Sequence, residues 1–234
     1  MRRAPALTGQ PAGLLGLARL LHLASPALPV GAYAYSRGME WAVAAGWLPD
    51  AAAVRDWILG LLDRSLARLD VPVLCRLHAA FAANDTAKAT AWNDFLYASR
   101  ETHEARLEDR QTGQALAKLL ADLDLAEAEA FRRDPRATFA RSFALAAARW
   151  GINPADACAG YLFAWAENQL AAALKLGCLG QSAGQRILYD AGGLIPGLVS
   201  SGAALADADI GASAPGLALA SALHETQGTR LFRS

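Results

Sequence analysis

The chain has 234 residues and a mass of 24.6 kDa, and its 22 Lys and Arg balance 22 Asp and Glu, giving zero formal net charge and a pI near 6.9. That balance argues against a nucleic-acid partner, because affinity for phosphates comes from clustered excess Lys and Arg. Hydrophobic residues make up 54% and charged residues only 19%, against roughly 25% charged in an average chain, so apolar surface must be hidden in an oligomer or a larger complex.

Residues 1–10 read as a disordered tail. Arg2 and Arg3 ahead of the apolar run Leu14–Leu23 mimic a basic leader, but Arg19 and His22 interrupt that run, and an amphipathic helix over Ala12–Leu23 fits better. The loop Ala24–Ser36, ASPALPVGAYAYS, carries two prolines and two tyrosines and is too apolar for a solvated turn, so it should fold against the body or a partner. Helices follow over Arg37–Ala45, ending at Gly46, and over Val54–Leu69, where apolar residues recur at three- and four-residue steps after the capping Asp50. Further helices are expected over Val73–Ala83, Asp85 to about Leu123, and Arg136–Trp150. The helix Pro154–Leu176 opens with the cap-and-proline pair Asn153–Pro154 and closes at Gly177. Shorter helices are expected over Gln181–Asp190 and Leu194–Ala204. With 55 alanines and no alternating apolar–polar run, the fold class is all-α. It reads as a single-domain bundle over residues 11–223, of roughly eight to ten helices with short loops, and residues 224–234 form a C-terminal tail.

Two helices break the bland pattern. RETHEARLEDRQ (Arg100–Gln111) has Leu107 as its one strong apolar anchor. It reads as a solvated face laced by pairs such as Arg100 with Glu104 and Arg106 with Asp109, a polar interface being the other reading. Helix Pro154–Leu176 is apolar on almost every side and should run through the middle of the bundle, yet Glu167, Asn168 and Lys175 share one narrow wedge beside Gly160, Ala164 and Ala171. A buried Lys or Glu is costly without a partner, so these groups pair or reach the surface near the helix end. The same residues, with Gln169, disqualify residues 155–176 as a membrane span, so no membrane partner is expected.

Catalytic constellations are absent. There is no Gly-x-Ser-x-Gly, no phosphate-binding Gly-x4-Gly-Lys-Ser/Thr and no His-Glu-x-x-His. Cys75, Cys158 and Cys178 are an odd number with no Cys-x-x-Cys pair, which fits a reducing cytoplasm and supports neither a disulfide framework nor a zinc site. His22, His78, His103 and His224 are widely separated, so no metal ligands are assigned and the chain reads as a non-enzyme built for association. The tail RLFRS (Arg230–Ser234) places Leu231 and Phe232 between arginines, a short anchor suited to a partner's groove.

Taken together, four ordered blocks resemble the urease accessory protein F family: LASPALPVGAYAYSRGMEWAVAAGW (Leu23–Trp47), SRETHEARLEDRQTG (Ser99–Gly113), AENQLAAALKLGCLGQ (Ala166–Gln181) and HETQGTRLFRS (His224–Ser234). Ala32, Arg37 and Cys178 depart from residues common in that family, Gly, Gln and Pro respectively. The resemblance implies an all-α, usually homodimeric, cytoplasmic adaptor without enzymatic turnover. It would bridge the D/H-type urease accessory protein and the accessory GTPase, protein G, while nickel is inserted into the urease apoenzyme. The chain would hold no cofactor of its own, nickel and GTP being handled within the partner complex, and it would position or regulate the GTPase. The alternative is a helical metallochaperone that binds nickel itself. The partner-binding residues implied are Tyr35, Ser36, Glu40, Arg100, Glu101, Glu104, Arg106, Gln111, Glu167, Lys175, Gln181, His224, Arg230, Leu231, Phe232 and Arg233. Lys175, backed by Glu167 and Asn168, is expected to face the GTPase or to hold the loop Gly177–Gln181. The tail is expected to order only on binding the D-type partner.

Overall fold

Alanine favours helix along most of the chain. The computed structural model, which describes residues 11–234, contains ten α-helices and no strand among those residues. The expected disordered stretch 1–10 lies outside the described residues. The helices are α1 (Pro11–Leu23), α2 (Met39–Ala44), α3 (Ala51–Leu61), α4 (Asp70–Ala82), α5 (Thr86–Ala98), α6 (His103–Asp122), α7 (Phe139–Arg149), α8 (Pro154–Lys175), α9 (Gln181–Ala203) and α10 (Pro215–His224). Their starts are set by side-chain caps. Asp50, Asp85, Thr102, Thr138 and Asn153 each accept the backbone N–H three residues on, at 2.8–3.2 Å.

Helix α8 runs through the bundle and touches α1, α2, α3, α4, α7 and α9. The small residue Gly160 admits the Leu20 side chain of α1 against its backbone. Helix α7 buries Ala140, Ala144, Ala146 and Ala147 completely, and such short side chains let α4 and α6 approach it closely. Among the described residues no helix is long and apolar enough to cross a membrane.

Three expected helices are redrawn and one is new. The helix expected over Val54–Leu69 is α3, continued by a π-helical turn at Leu62–Leu66, before the chain bends into α4 at Asp70. The helix expected over Asp85–Leu123 is two, α5 and α6, because Arg100 turns inward to buried acids and Thr102 caps a new start. The two short helices expected after Gln181 are one, α9. Its buried stripe of Gly184, Ile187, Ala191, Ile195, Leu198 and Gly202 continues past Gly192, Gly193 and Pro196, and that packing outweighs the local breakers. Helix α10 was not anticipated. It crosses α2, where a Cβ on Gly38, whose φ is +76°, would stand 2.8 Å from the backbone nitrogen of Ser221.

Helices α6 and α7 meet at Gly113, where a Cβ would lie 2.6 Å from the carbonyl carbon of Thr138. Alanine ordinarily improves a helix interior by about 1 kcal/mol over glycine. Here the sign reverses: Gly113→Ala should destabilise the fold by about 1–3 kcal/mol in urea unfolding, because backbone must move.

Candidate partner-docking site

The charged helix start turns its acids inward. Glu104, Glu108 and Asp109, at i, i+4 and i+5 of α6, lie on one face and are each at most 5% exposed. An unpaired buried carboxylate costs several kcal/mol, so each must find cations or N–H donors. Arg100 donates Nε to Asp109 at 2.7 Å and forks its other nitrogens onto Asp70 at 2.6 and 3.2 Å. Tyr161 of α8 donates its hydroxyl to Asp70 at 3.0 Å, and the Phe139 N–H donates to Asp109 at 2.8 Å. Burial opposes the charge on Asp70, but the Arg100 guanidinium overrides it and holds the carboxyl below its usual range. Burial, with the Asp70 charge adding to it, pushes the Tyr161 phenol well above its ordinary value. The pairs expected from sequence, Arg100–Glu104 and Arg106–Asp109, do not form. Arg106 instead donates to the Arg100 carbonyl at 2.8 Å.

The other two acids bind the loop before α2 and the C-terminal tail. Arg37, held at φ +52°, donates Nε to Glu108 at 2.8 Å, and the Ser234 hydroxyl donates to the same carboxylate at 3.3 Å. His224 is fully buried, with Nδ1 2.8 Å from Glu104 and Nε2 3.2 Å from Glu40. Arg230 reaches the second oxygen of Glu104 at 2.8 Å. The Glu40 carboxylate accepts the successive backbone N–H groups of Leu231 and Phe232 at 2.6 and 2.9 Å. Beyond it, the Arg233 N–H donates to the Ala34 carbonyl at 2.8 Å. The Ser36 N–H and hydroxyl both donate to the main-chain oxygen of Ser234 at 2.5 Å. Phe232 is buried with the Lys175 ammonium 4.5 Å from its ring centre, while Leu231 faces outward. The tail is thus seated on its own chain, against the expectation that it orders only on a partner, because it supplies the donors that the buried acids need.

Two cavities, of about 70 and 140 Å³, flank the Arg37–Glu108 pair, and Trp165 lines both. Among the described residues no group of three or more His, Cys, Asp or Glu side chains is placed to hold a metal ion.

The sequence of this architecture matches the UreF family model over residues 48–192, more than half of the chain. The urease accessory protein UreF of Alkalilimnicola ehrlichii is 52% identical over 92% of this chain and 95% of its own length, and that of Azoarcus sp. strain BH72 is 49% identical over 97% and 99%. A third relative, urease accessory protein UreF 2 of Brucella anthropi, is 44% identical over 94% and 97%. The chain belongs to the UreF family. Membership gives it an accessory role in urease maturation, a role named for assistance and not for catalysis.

Residues of all four UreF-like blocks meet in and around the network. Tyr35 donates its hydroxyl to Gln111 and accepts at its carbonyl from Asn168 at 3.2 Å. With Ser36, Glu40, Arg100, Glu104, Arg106, His224, Arg230, Phe232 and Arg233 it surrounds the first half of α6. The third block contributes less. Lys175 is exposed and touches the tail, whereas Glu167, whose carboxyl burial pushes up, makes no ion pair with it, and Gln181 and Glu101 stand exposed. Sequence reasoning missed Asp70, Glu108, Asp109, Tyr161 and Ser234 as members, and treated Arg37 only as a departure. The spacing of Glu104, Glu108 and Asp109 on one helix face was the available signal.

Two outcomes follow from the network. Deleting Arg230–Ser234 strips donors from Glu40 and Glu104 and uncovers the Phe232 site, so thermal unfolding should fall by roughly 5–15 °C, about 2–5 kcal/mol, where a free tail would leave it unchanged. Acid should weaken the fold in a defined direction. Asp70 has a depressed folded pKa, so below its ordinary value of 3.8 the unfolded chain binds more protons, and the stability Asp70 contributes is lost as pH falls further. Urea unfolding of Asp70→Asn across pH 7 to 2 should start lower and decline less steeply below about pH 4 than the unaltered protein.

Proposed function

We propose that this chain is a homodimeric cytoplasmic adaptor that joins the D/H-type urease accessory protein to the accessory GTPase, and so positions or regulates that GTPase while nickel enters the urease apoenzyme. Nickel and GTP are then held by the assembled complex. The observation that carries this reading is apolar surface left uncovered at two separate places. On α1, Leu14, Leu17 and Leu21 are 52–63% exposed and fall on one face by their spacing. On α10, Leu219 and Leu223, one turn apart, are exposed, as is Leu231 of the neighbouring tail. Isolated chains seldom leave such rows open, whereas chains that assemble do. The α1 row suits a second copy, and the α10 and tail surface suits the D/H-type protein. Lys175, at the free end of α8, offers a positive group for the GTPase while resting on Phe232.

Light scattering on sizing chromatography tests the assignment. The chain alone should elute as a dimer, shift to a larger stoichiometric complex with the D/H-type protein, and recruit the GTPase only in that complex. A monomer that ignores both proteins would overturn the reading. Lys175→Ala should leave the D/H complex in place and lower GTPase recruitment at least tenfold, which corresponds to about 1.4 kcal/mol.

A further inference from the structure

The accessory role leaves one reactive pair unused. Cys75, near the middle of α4 and partly open to solvent, and Cys158, in the second turn of α8 and fully buried, bring their sulfurs to 3.6 Å. A disulfide needs about 2.05 Å, so the sulfurs must close by about 1.6 Å, which lies within the reach of side-chain rotation and a small helix shift. The two helices are already held together one turn away by the Tyr161–Asp70 hydrogen bond. Cys178 lies apart, with its thiol on the Ala173 carbonyl at 3.3 Å.

We propose that Cys75 and Cys158 are a reversible dithiol–disulfide couple, oxidised by hydrogen peroxide, that cross-links α4 to α8. The two sulfurs have the unequal exposure such a couple uses. The accessible Cys75 thiolate attacks one peroxide oxygen, breaking the O–O bond, so that Cys75 becomes a sulfenic acid and the departing oxygen leaves as water after taking up a proton. The buried Cys158 sulfur then attacks Cys75, forming the S–S bond as the S–O bond breaks, and the Cys158 proton leaves with the hydroxide as a second water. Each sulfur gives up one electron and peroxide gains two. The contact with Cys158 draws the Cys75 thiol down to about 7 against the opposing effect of burial, with Arg76 assisting, while Cys75 and burial push the Cys158 thiol up. The partly exposed member is therefore the one that ionises more readily. A pair of this kind rests as dithiol in a reducing compartment and closes only under oxidant.

The test uses the full reduced chain, exposed to a small molar excess of hydrogen peroxide, alkylated and examined by intact mass and peptide mapping. Most of the protein should become lighter by two hydrogens, with Cys75 and Cys158 in one cross-linked peptide pair, Cys178 alkylated, and dithiothreitol restoring all three thiols. In Cys158→Ser the same treatment should leave a sulfenic acid at Cys75 that dimedone traps. Recovery of Cys75 and Cys158 both alkylated would overturn the proposal. So would first oxidation at Cys178, or sulfinic acid at Cys75 with Cys158 still alkylated, and these outcomes are read on the unaltered protein.

Discussion

Three carboxylates on one buried face of α6 govern how the rest of the molecule is arranged. Each needs donors that its own helix cannot supply, and each draws in a different element. Asp109 takes Arg100, and through it Asp70 at the start of α4, together with the N–H that opens α7. Glu108 takes Arg37 from the loop ahead of α2, and Glu104 takes His224 from the end of α10 and Arg230 from the tail. Apolar packing alone tolerates a helix sliding by a turn, whereas a buried acid moved by a turn loses its partners and leaves an uncompensated charge. The network therefore fixes which elements meet around α6, while the alanine-rich helices α7 and α8 supply the close-packed body that it rests on.

Seen from this face, the tail is an internal ligand. Glu40 receives two successive backbone N–H groups from it, Ser36 clasps Ser234, and Phe232 fills the space beneath Lys175. Of its two apolar residues, Leu231 faces outward and Phe232 inward. Any partner that grips Leu231 from outside would act on a segment whose backbone is already committed to Glu40, and through Glu40 to His224 and Glu104. Lys175 belongs to the same unit, since its cation rests on the Phe232 ring and a change at either is felt by the other. A variant at Lys175 removes a surface charge and one contact of the tail, whose backbone stays seated on Glu40 and Ser36.

Much of this was legible in the sequence where the cause is local. Asp50, Asp85 and Asn153–Pro154 mark helix starts by capping chemistry that needs no tertiary context, and the all-α class follows from alanine content and period. The break between α5 and α6 was not legible, because Arg100 leaves the helical path for Asp70, thirty residues earlier in the chain. Two short helices were expected after Gln181, and the apolar stripe that runs on through Gly192, Gly193 and Pro196 makes them one. The convergence of Tyr35, Ser36, Glu40, Glu104 and His224 with the tail joins positions up to 198 residues apart. The apolar loop, the charged helix and the tail each stood out in the sequence, but nothing there joined them to one another or to Glu108, Asp109 and Asp70, which close the network.

The composition also takes on a physical meaning. Charged residues are scarce, and the interior holds Glu40, Asp70, Arg100, Glu104, Glu108 and Asp109, so fewer remain to solvate the outside. The apolar surplus surfaces as rows, and the two rows differ in kind. The α1 row lies to one side of the residues that pack on α8, such as Leu20 against Gly160, and can be covered by simple burial worth about 25 cal/mol per Å² of apolar area. The α10 row leads directly into the buried His224, and Leu231 donates its N–H to Glu40, so a protein that covers them also changes the surroundings of buried charges. Occupancy of the first face depends on apolar area, and occupancy of the second is coupled to the seating of the tail.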